Sequence, residues 1–417
     1  MKKKFLILIF YLVTIVYSLE ALSSIFLKKE FNLNEISIDE IRNEKLKSIG
    51  NYDQRSDFFA YNEEKLKNKN LSPSFKFSRE LLFLSDFENN IKNFIDYKVS
   101  LNQIVPFRGP LNKNSLGHNE AGKRELIIND KYGFKNNNNI YKKKIDIMLV
   151  GDSFAEGVPF NNADDIAGKI MSKSNLNVAN YGVTGTGPFM SLAVIKEYGP
   201  YLKPKNIFYL FYEGNDLRDM MNEEKTILKN YLDDEFSQNL FNSLNEVKKF
   251  LDEYEKVFYK ILPQKIYYED KAIHKKIKKA LPLKEKIKDF IELNTLKELL
   301  FTSSVFYKKK HKVNYLYLQK ILEKMNTEVL KWNGNFYFVY LPSWTRYNNR
   351  YSLANYLQKS KIKNIVKKQN IMFVDIDKYF KSKNAGNVDA FNLGIYGHYT
   401  KRGYELISLK ISDIIIK

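Results

Sequence analysis

From residue 145 onward, short apolar runs alternate with longer segments of helical pattern. That alternation narrows the possible folds more than any other feature of this 417-residue chain. The runs fall at 145–150, 176–179, 206–212, 335–340 and 371–375. They are short, continuously apolar and bounded by turn residues, which reads as strands buried on both faces. Helical patterns lie between or after them, at about 163–174, 189–198, 313–332, 350–369 and 400–415. Strands separated by helices imply a parallel sheet with helices on both sides. One stretch interrupts the rhythm. Residues 222–312 are rich in Lys and Glu and helix-prone, with Pro263 and Pro282 as expected breaks. They read as a helical subdomain inserted between the third and fourth strands, its charges forming a solvated surface.

The N-terminal segment has a different character. Lys2-Lys3-Lys4 precede an uncharged run at 5–19; Glu20 interrupts, 21–27 continues, and Lys28-Lys29 close it. The span 5–27 exceeds the roughly 20 residues that cross a bilayer, and basic residues ahead of it set an N-in orientation. No small-x-small cleavage site ends the run. Residues 1–29 are therefore expected to be a signal anchor, a single membrane-spanning helix that leaves the remainder outside the cytoplasmic membrane. Residues 30–143 read as an N-terminal extension, with a helical stem to about 105. An irregular stretch follows, in which Pro106, Gly109, Pro110, Gly117 and the Asn136–Asn139 run mark turns and 124–128 forms a strand.

Composition excludes several chemistries. With no cysteine there are no disulfides, thiol nucleophiles or thiolate metal sites. His118, His274 and His311 lack metal-ligand spacing, and neither metal nor cofactor is expected. The formal net charge is +20, from 68 Lys+Arg against 48 Asp+Glu. The lysines are dispersed and no nucleic-acid-binding motif accompanies them, so no nucleic-acid partner is expected.

The loops after the strands carry the chemistry. The first strand runs into Gly151-Asp152-Ser153-Phe154-Ala155-Glu156-Gly157, the second into Asn180-Tyr181-Gly182, and the third into Glu213-Gly214-Asn215-Asp216. Gly397-His398-Tyr399 precedes the last helix. In a parallel sheet such loops share one edge, where ligands bind. A serine hydroxyl needs a base to become a nucleophile, and His398 is suited to the task. The Ser153 N–H, the Gly182 N–H and the Asn215 amide are candidate donors to a developing oxyanion.

This ordered set resembles the SGNH (GDSL) hydrolase family, membrane-anchored bacterial members included. The matching blocks are Gly151-Asp152-Ser153, Asn180-Tyr181-Gly182, Gly214-Asn215-Asp216 and His398. The resemblance covers about 144–221 and 333–417. It implies a flavodoxin-like three-layer α/β/α sandwich (the SGNH fold) over 144–417. It also implies Ser153 as nucleophile, His398 as base, and Ser153, Gly182 and Asn215 as the oxyanion hole. Two positions depart from the pattern. Glu213 stands where the third block begins with Gly, and Ile395 stands where an Asp three residues before the histidine is usual. Asp389, nine residues before His398, is the candidate replacement. Glu156, Trp344 and Arg346 are candidate substrate contacts.

The expectation is a membrane-anchored, extracytoplasmic serine esterase acting through an acyl-serine on ester groups, O-acetyl among them, of a surface glycan. An O-acyltransferase sharing the same first half-reaction is one alternative. A non-catalytic glycan-binding or assembly factor that keeps the fold is another.

Overall fold

A computed structural model describes residues 2–30, 52–77, 96–98, 100–101, 103–273, 290–291, 293, 314–347, 353–385, 390–391 and 397–416. In chain order come α1 (Lys2–Glu30), α2 (Asp57–Lys67), β1 (Phe75–Lys76), β2 (Arg108–Gly109), β3 (Asn114–Leu116) and β4 (Leu126–Ile128). Then follow β5 (Ile147–Gly151), α3 (Ser153–Glu156), α4 (Ile166–Lys173), β6 (Val178–Gly182), α5 (Pro188–Leu202), β7 (Asn206–Tyr212) and α6 (Asp216–Glu223). The remainder is α7 (Leu244–Ile273), α8 (Tyr315–Leu330), β8 (Asn335–Leu341), α9 (Leu353–Lys368), β9 (Met372–Asp375), α10 (Ile376–Ser382) and α11 (Lys401–Ile416).

Five strands form one parallel sheet in the order β6-β5-β7-β8-β9. Numbered within the sheet this is 2-1-3-4-5, the flavodoxin-like order, whose switch point lies beside the first strand. β5, β6 and β7 are buried at every position, as strands covered on both faces must be. Alternate residues serve opposite faces. Met148 and Val150 join a core with Leu192 and Ile195 of α5, Leu318 and Ile321 of α8, and Ile362 of α9. Ile147 and Leu149 join another with Ile166 and Ile170 of α4, Phe380 of α10, and Ile407 and Ile411 of α11. Each such side chain contributes roughly 1.5–3 kcal/mol over leaving it exposed.

Two expectations change here. The described residues at 52–77 and 103–143 of the extension pack on the sheet instead of standing off as a stem. Leu71, Phe75, Phe107 and Phe134 are fully buried in the same core as the sheet. The described part of the inserted segment packs on this extension, with Tyr231 against Phe107. Phe75 packs edge-on against Phe250 and Tyr254 of α7, at 5.2 and 4.9 Å between ring centroids, and Phe258 of α7 packs on Phe58 and Tyr61. Val247, Phe250, Leu251, Tyr254, Phe258, Ile261 and Leu262 recur every three or four residues, so α7 has an apolar stripe beneath its charged face. α7 continues through Pro263 instead of ending there; Pro282 lies outside the described residues.

α1 is 29 residues long. Its apolar side chains from Ile7 to Leu22 include ten that are 41–69% exposed. Among the described residues, no helix is long and apolar enough to cross a membrane.

Candidate active site

Ser153 opens the short helix α3 at the C-terminal end of β5. Asp152 caps that helix, its side chain accepting the Phe154 N–H at 2.9 Å, as an Asp at an N-cap does. Ser153 is buried, at 6% exposure. Gly151 pairs with Gly182 on one side and Leu210 on the other, so the Ser153, Gly182 and Asn215 loops leave the sheet at one edge. Gly182 accommodates the close approach of the serine loop: a Cβ there would lie 2.2 Å from the Glu156 N.

His398 reaches this edge from the loop before α11. Its Nε2 lies 2.7 Å from Ser153 Oγ. Its Nδ1 lies 2.6 Å from Oε2 of Glu120, and its backbone N–H donates to Glu120 Oε1 at 2.5 Å. With the ring proton on Nδ1 donated to Glu120, Nε2 is left to accept the serine hydroxyl proton. The glycine before His398 is part of this geometry. Gly397 has φ +153°, and a Cβ on it would sit 2.5 Å from Glu120 Oε1. The carboxylate occupies the space that any other residue would fill.

Glu120 was not among the sequence candidates. It sits in the loop joining β3 to β4, a hairpin in the extension, 278 residues before His398. The loop is braced from both sides. The Asp53 N–H donates to the Gly122 carbonyl at 2.8 Å, Asn119 Nδ2 donates to the Asp53 carbonyl at 2.9 Å, and Arg124 pairs with Asp57. Asp389, the sequence candidate for this role, and Ile395 lie outside the described residues. The carboxylate placed on the imidazole is Glu120.

Two of the three expected oxyanion donors have their hydrogens already engaged. The Gly182 N–H donates to Oδ1 of Asn180 at 3.0 Å. Asn215 Nδ2 donates to Asp219 Oδ2 at 2.8 Å and Asp152 Oδ2 at 3.2 Å, while Asn215 Oδ1 is buried without a hydrogen-bond partner.

The three substrate-contact candidates have other work. Glu156 is 4% exposed, and its carboxylate meets Lys76 of β1 at 3.3 Å, Arg108 of β2 at 2.9 Å and the Thr184 N–H at 2.9 Å. Burial pushes its pKa up, but Arg108 and Lys76 outweigh that and hold the carboxyl far below the usual range. Glu156 thus ties the extension to the serine loop. Arg346 is equally consumed: its guanidinium forks onto Glu213, Nε at 2.8 Å from Oε1, with Asp377 at 3.5 Å from Nη1. Glu213 also accepts from Tyr340 Oη and the Ser343 N–H, both at 2.7 Å. This explains why a glutamate replaces the block's glycine: it bridges the loops after β7 and β8. Trp344 is half-buried and packs against the core to which α4, α10 and α11 contribute.

Glu156→Gln is expected to destabilise the fold by about 3–5 kcal/mol, the cost of stranding buried charges without their partner. Because the folded pKa is depressed, the contribution of Glu156 is complete above the ordinary glutamate pKa and is lost only in strong acid. Thermal unfolding at neutral pH measures it; a melting temperature equal to wild type contradicts the clamp.

Fold and site together define a flavodoxin-like α/β/α protein with a Ser–His–Glu hydrogen-bonded chain at its strand-switch edge. Among the described residues, no group of three or more His, Asp or Glu is placed to hold a metal ion. No family model and no curated protein matches the sequence. Solved structures similar to this chain include a member of the lipolytic protein G-D-S-L family from Veillonella parvula (12% identity, TM-score 0.35), covering 65% of this chain and 98% of that one. An acetyl xylan esterase (10%, 0.36) covers 64% of this chain and 98% of its own. The psychrotrophic esterase EstA from Pseudoalteromonas (11%, 0.32) covers 65% and 96%. Likenesses this distant bear on neither activity nor substrate.

Proposed function

We propose that this chain is a serine ester hydrolase of SGNH type, with Ser153 as nucleophile, His398 as general base and Glu120 as the group that orients His398. The observation that carries this reading is the unbroken chain Ser153 Oγ to His398 Nε2 at 2.7 Å and His398 Nδ1 to Glu120 at 2.6 Å. A buried carboxylate on one imidazole nitrogen fixes the tautomer in which the other accepts a proton. Ser153 attacks the ester carbonyl and His398 takes its proton. The oxyanion is met by the Ser153 N–H, joined by Gly182 and Asn215 as their hydrogens turn to it from Asn180, Asp219 and Asp152. His398 then protonates the leaving alcohol, and water attacks the acyl-serine by the same route in reverse. A protein that only binds need not keep a histidine within hydrogen-bond reach of the serine.

The substrate we propose is an O-acetylated glycan at the cell surface, with the catalytic part held outside the cytoplasmic membrane by α1. Two features support the location: the basic residues ahead of the 5–27 run and the exposed apolar side chains along α1. The test uses the detergent-solubilised full chain, a fluorophosphonate probe and an O-acetylated polysaccharide. One phosphonyl adduct on the peptide containing Ser153, blocked by prior incubation with the polysaccharide and accompanied by acetate release without it, is the expected result. An adduct elsewhere, or none, removes the proposal. Adduct formation without acetate release removes the substrate and keeps the chemistry.

A further inference from the structure

The hairpin that carries Glu120 lies outside the five-stranded sheet, and its strands β3 and β4 are three residues each. A lone two-stranded hairpin is marginally stable in water. Further contacts must therefore fix the loop 117–125 if Glu120 is to stay on His398. One arm is pinned to the loop before α4: the Asn161 N–H donates to Glu125 Oε2 at 2.8 Å, and the Ile128 N–H donates to Asn162 Oδ1 at 3.0 Å. The tip, with Glu120 on it, is held by the segment 52–57.

Arg124 is the hub of that contact, with a side chain 4% exposed. Its Nη2 donates to the Arg55 carbonyl at 2.8 Å, and its Nη1 reaches both the Asp57 carboxylate and, at 3.5 Å, the Gly117 carbonyl. Its Nε lies 3.5 Å from Asp53 Oδ2. A planar guanidinium with several fixed donors can join two arms of a loop to a third segment in this way. Asn119, directly before Glu120, adds a second tie: its Nδ2 donates to the Asp53 carbonyl at 2.9 Å and to Tyr52 Oη at 3.1 Å. The Asp53 N–H closes the far side of the tip on the Gly122 carbonyl at 2.8 Å. Asp57 in turn faces His118 at 3.7 Å. The contacts thus surround Glu120 in the chain on both sides, while its two carboxylate oxygens are left for His398.

We propose that Arg124 and Asn119 are positioning residues. Strapped to the segment 52–57, they hold the Glu120 carboxylate against His398 Nδ1 and so keep the imidazole in the tautomer that accepts the serine proton. They act on the reacting groups through the loop that carries Glu120. The inference rests on the Ser153–His398–Glu120 reading and extends it to residues remote from the ester. Turning the carboxylate of a triad into an amide costs about 10⁴ in kcat. Loosening it without removing it costs less, about 10²-fold, the effect of a displacement on the order of 1 Å in a catalytic constellation.

The test is a double-mutant cycle on kcat for p-nitrophenyl acetate, with the detergent-solubilised full chain. Arg124→Ala is expected to lower kcat about 10²-fold with KM little changed, and Asn119→Ala about tenfold, a smaller slackening of the same loop. In a Glu120→Gln background neither substitution is expected to cost anything further, because the carboxylate they hold in place has gone. A merely structural role predicts the opposite, losses that multiply with that of Glu120→Gln, and this result overturns the proposal. Full kcat in both single variants overturns it as well. Asn119→Ala removes only a half-buried amide, so it carries the cycle by itself if Arg124→Ala does not fold. The two readings fail separately. Wild-type kcat in Glu120→Gln rejects the role of Glu120 and the strap with it, whereas the expected loss in Glu120→Gln with multiplying losses rejects the strap alone.

Discussion

Ser153→Ala is expected to lower kcat for ester hydrolysis about 10⁶-fold, the scale at which losing the nucleophile of a serine triad is felt. The size follows from how the group is placed. The hydroxyl is buried, it lies 2.7 Å from His398 Nε2, and the turn after β5 holds it there. Removing it leaves the imidazole poised against a methyl group. His398→Ala should lose nearly as much, and the double variant little more than either, because the two side chains act as a unit. Acetate release by the purified chain measures all three. A Ser153→Ala protein retaining the wild-type rate would move the chemistry to another residue. Folding is checked separately by thermal unfolding, since the substitution removes one oxygen and should leave the melting temperature close to wild type.

Glu120→Gln is expected to cost about 10⁴ in kcat while KM moves little, the loss seen when the carboxylate of a triad becomes an amide. An amide both donates and accepts. Opposite Nδ1 it presents no charge to favour the imidazolium, and its NH₂ stabilises the tautomer with the proton on Nε2, from which the serine cannot be deprotonated. The distances single out this residue, with both carboxylate oxygens used on His398, one on the ring and one on its backbone N–H. Asp389→Asn is the companion measurement, because spacing from His398 nominates Asp389 while the structure places Glu120 on the ring. Wild-type kcat in Asp389→Asn together with the loss in Glu120→Gln is the expected pair. The reverse pair returns the role to Asp389.

The contrast between those two acids shows where the sequence is legible. The sheet is readable because strands covered on both faces are almost wholly apolar: 206–212 is the observed β7 to the residue, and the other four strand runs agree to within three residues at either end. Ser153, Gly182, Asn215 and His398 are readable because a parallel sheet sends the loops after its strands to one edge, so order along the chain becomes proximity in space. Glu120 belongs to neither pattern. It comes from a hairpin outside the sheet, in a stretch whose glycines and prolines announce turns without saying what the turns touch. Only Gly397 carries a trace of it, and the reason that position is glycine emerges once the carboxylate is seen filling the Cβ site. Glu156 and Arg346 misled for a related reason. A charged residue near a motif suggests substrate, but their partners, Lys76, Arg108, Glu213 and Asp377, are set by tertiary packing that sequence spacing does not encode.

The origin of Glu120 also has a bearing on how the protein is made. A chain emerges from the ribosome N-terminus first, so the hairpin bearing Glu120 appears early, the serine turn next, and His398 only with the final helix. At every stage of synthesis before that, the serine lacks its base and the chain is inert toward esters, including those of the membrane through which we propose it passes. On the proposed reading, activity waits on the segment before α11, which seats His398 between the serine turn and the hairpin of Glu120.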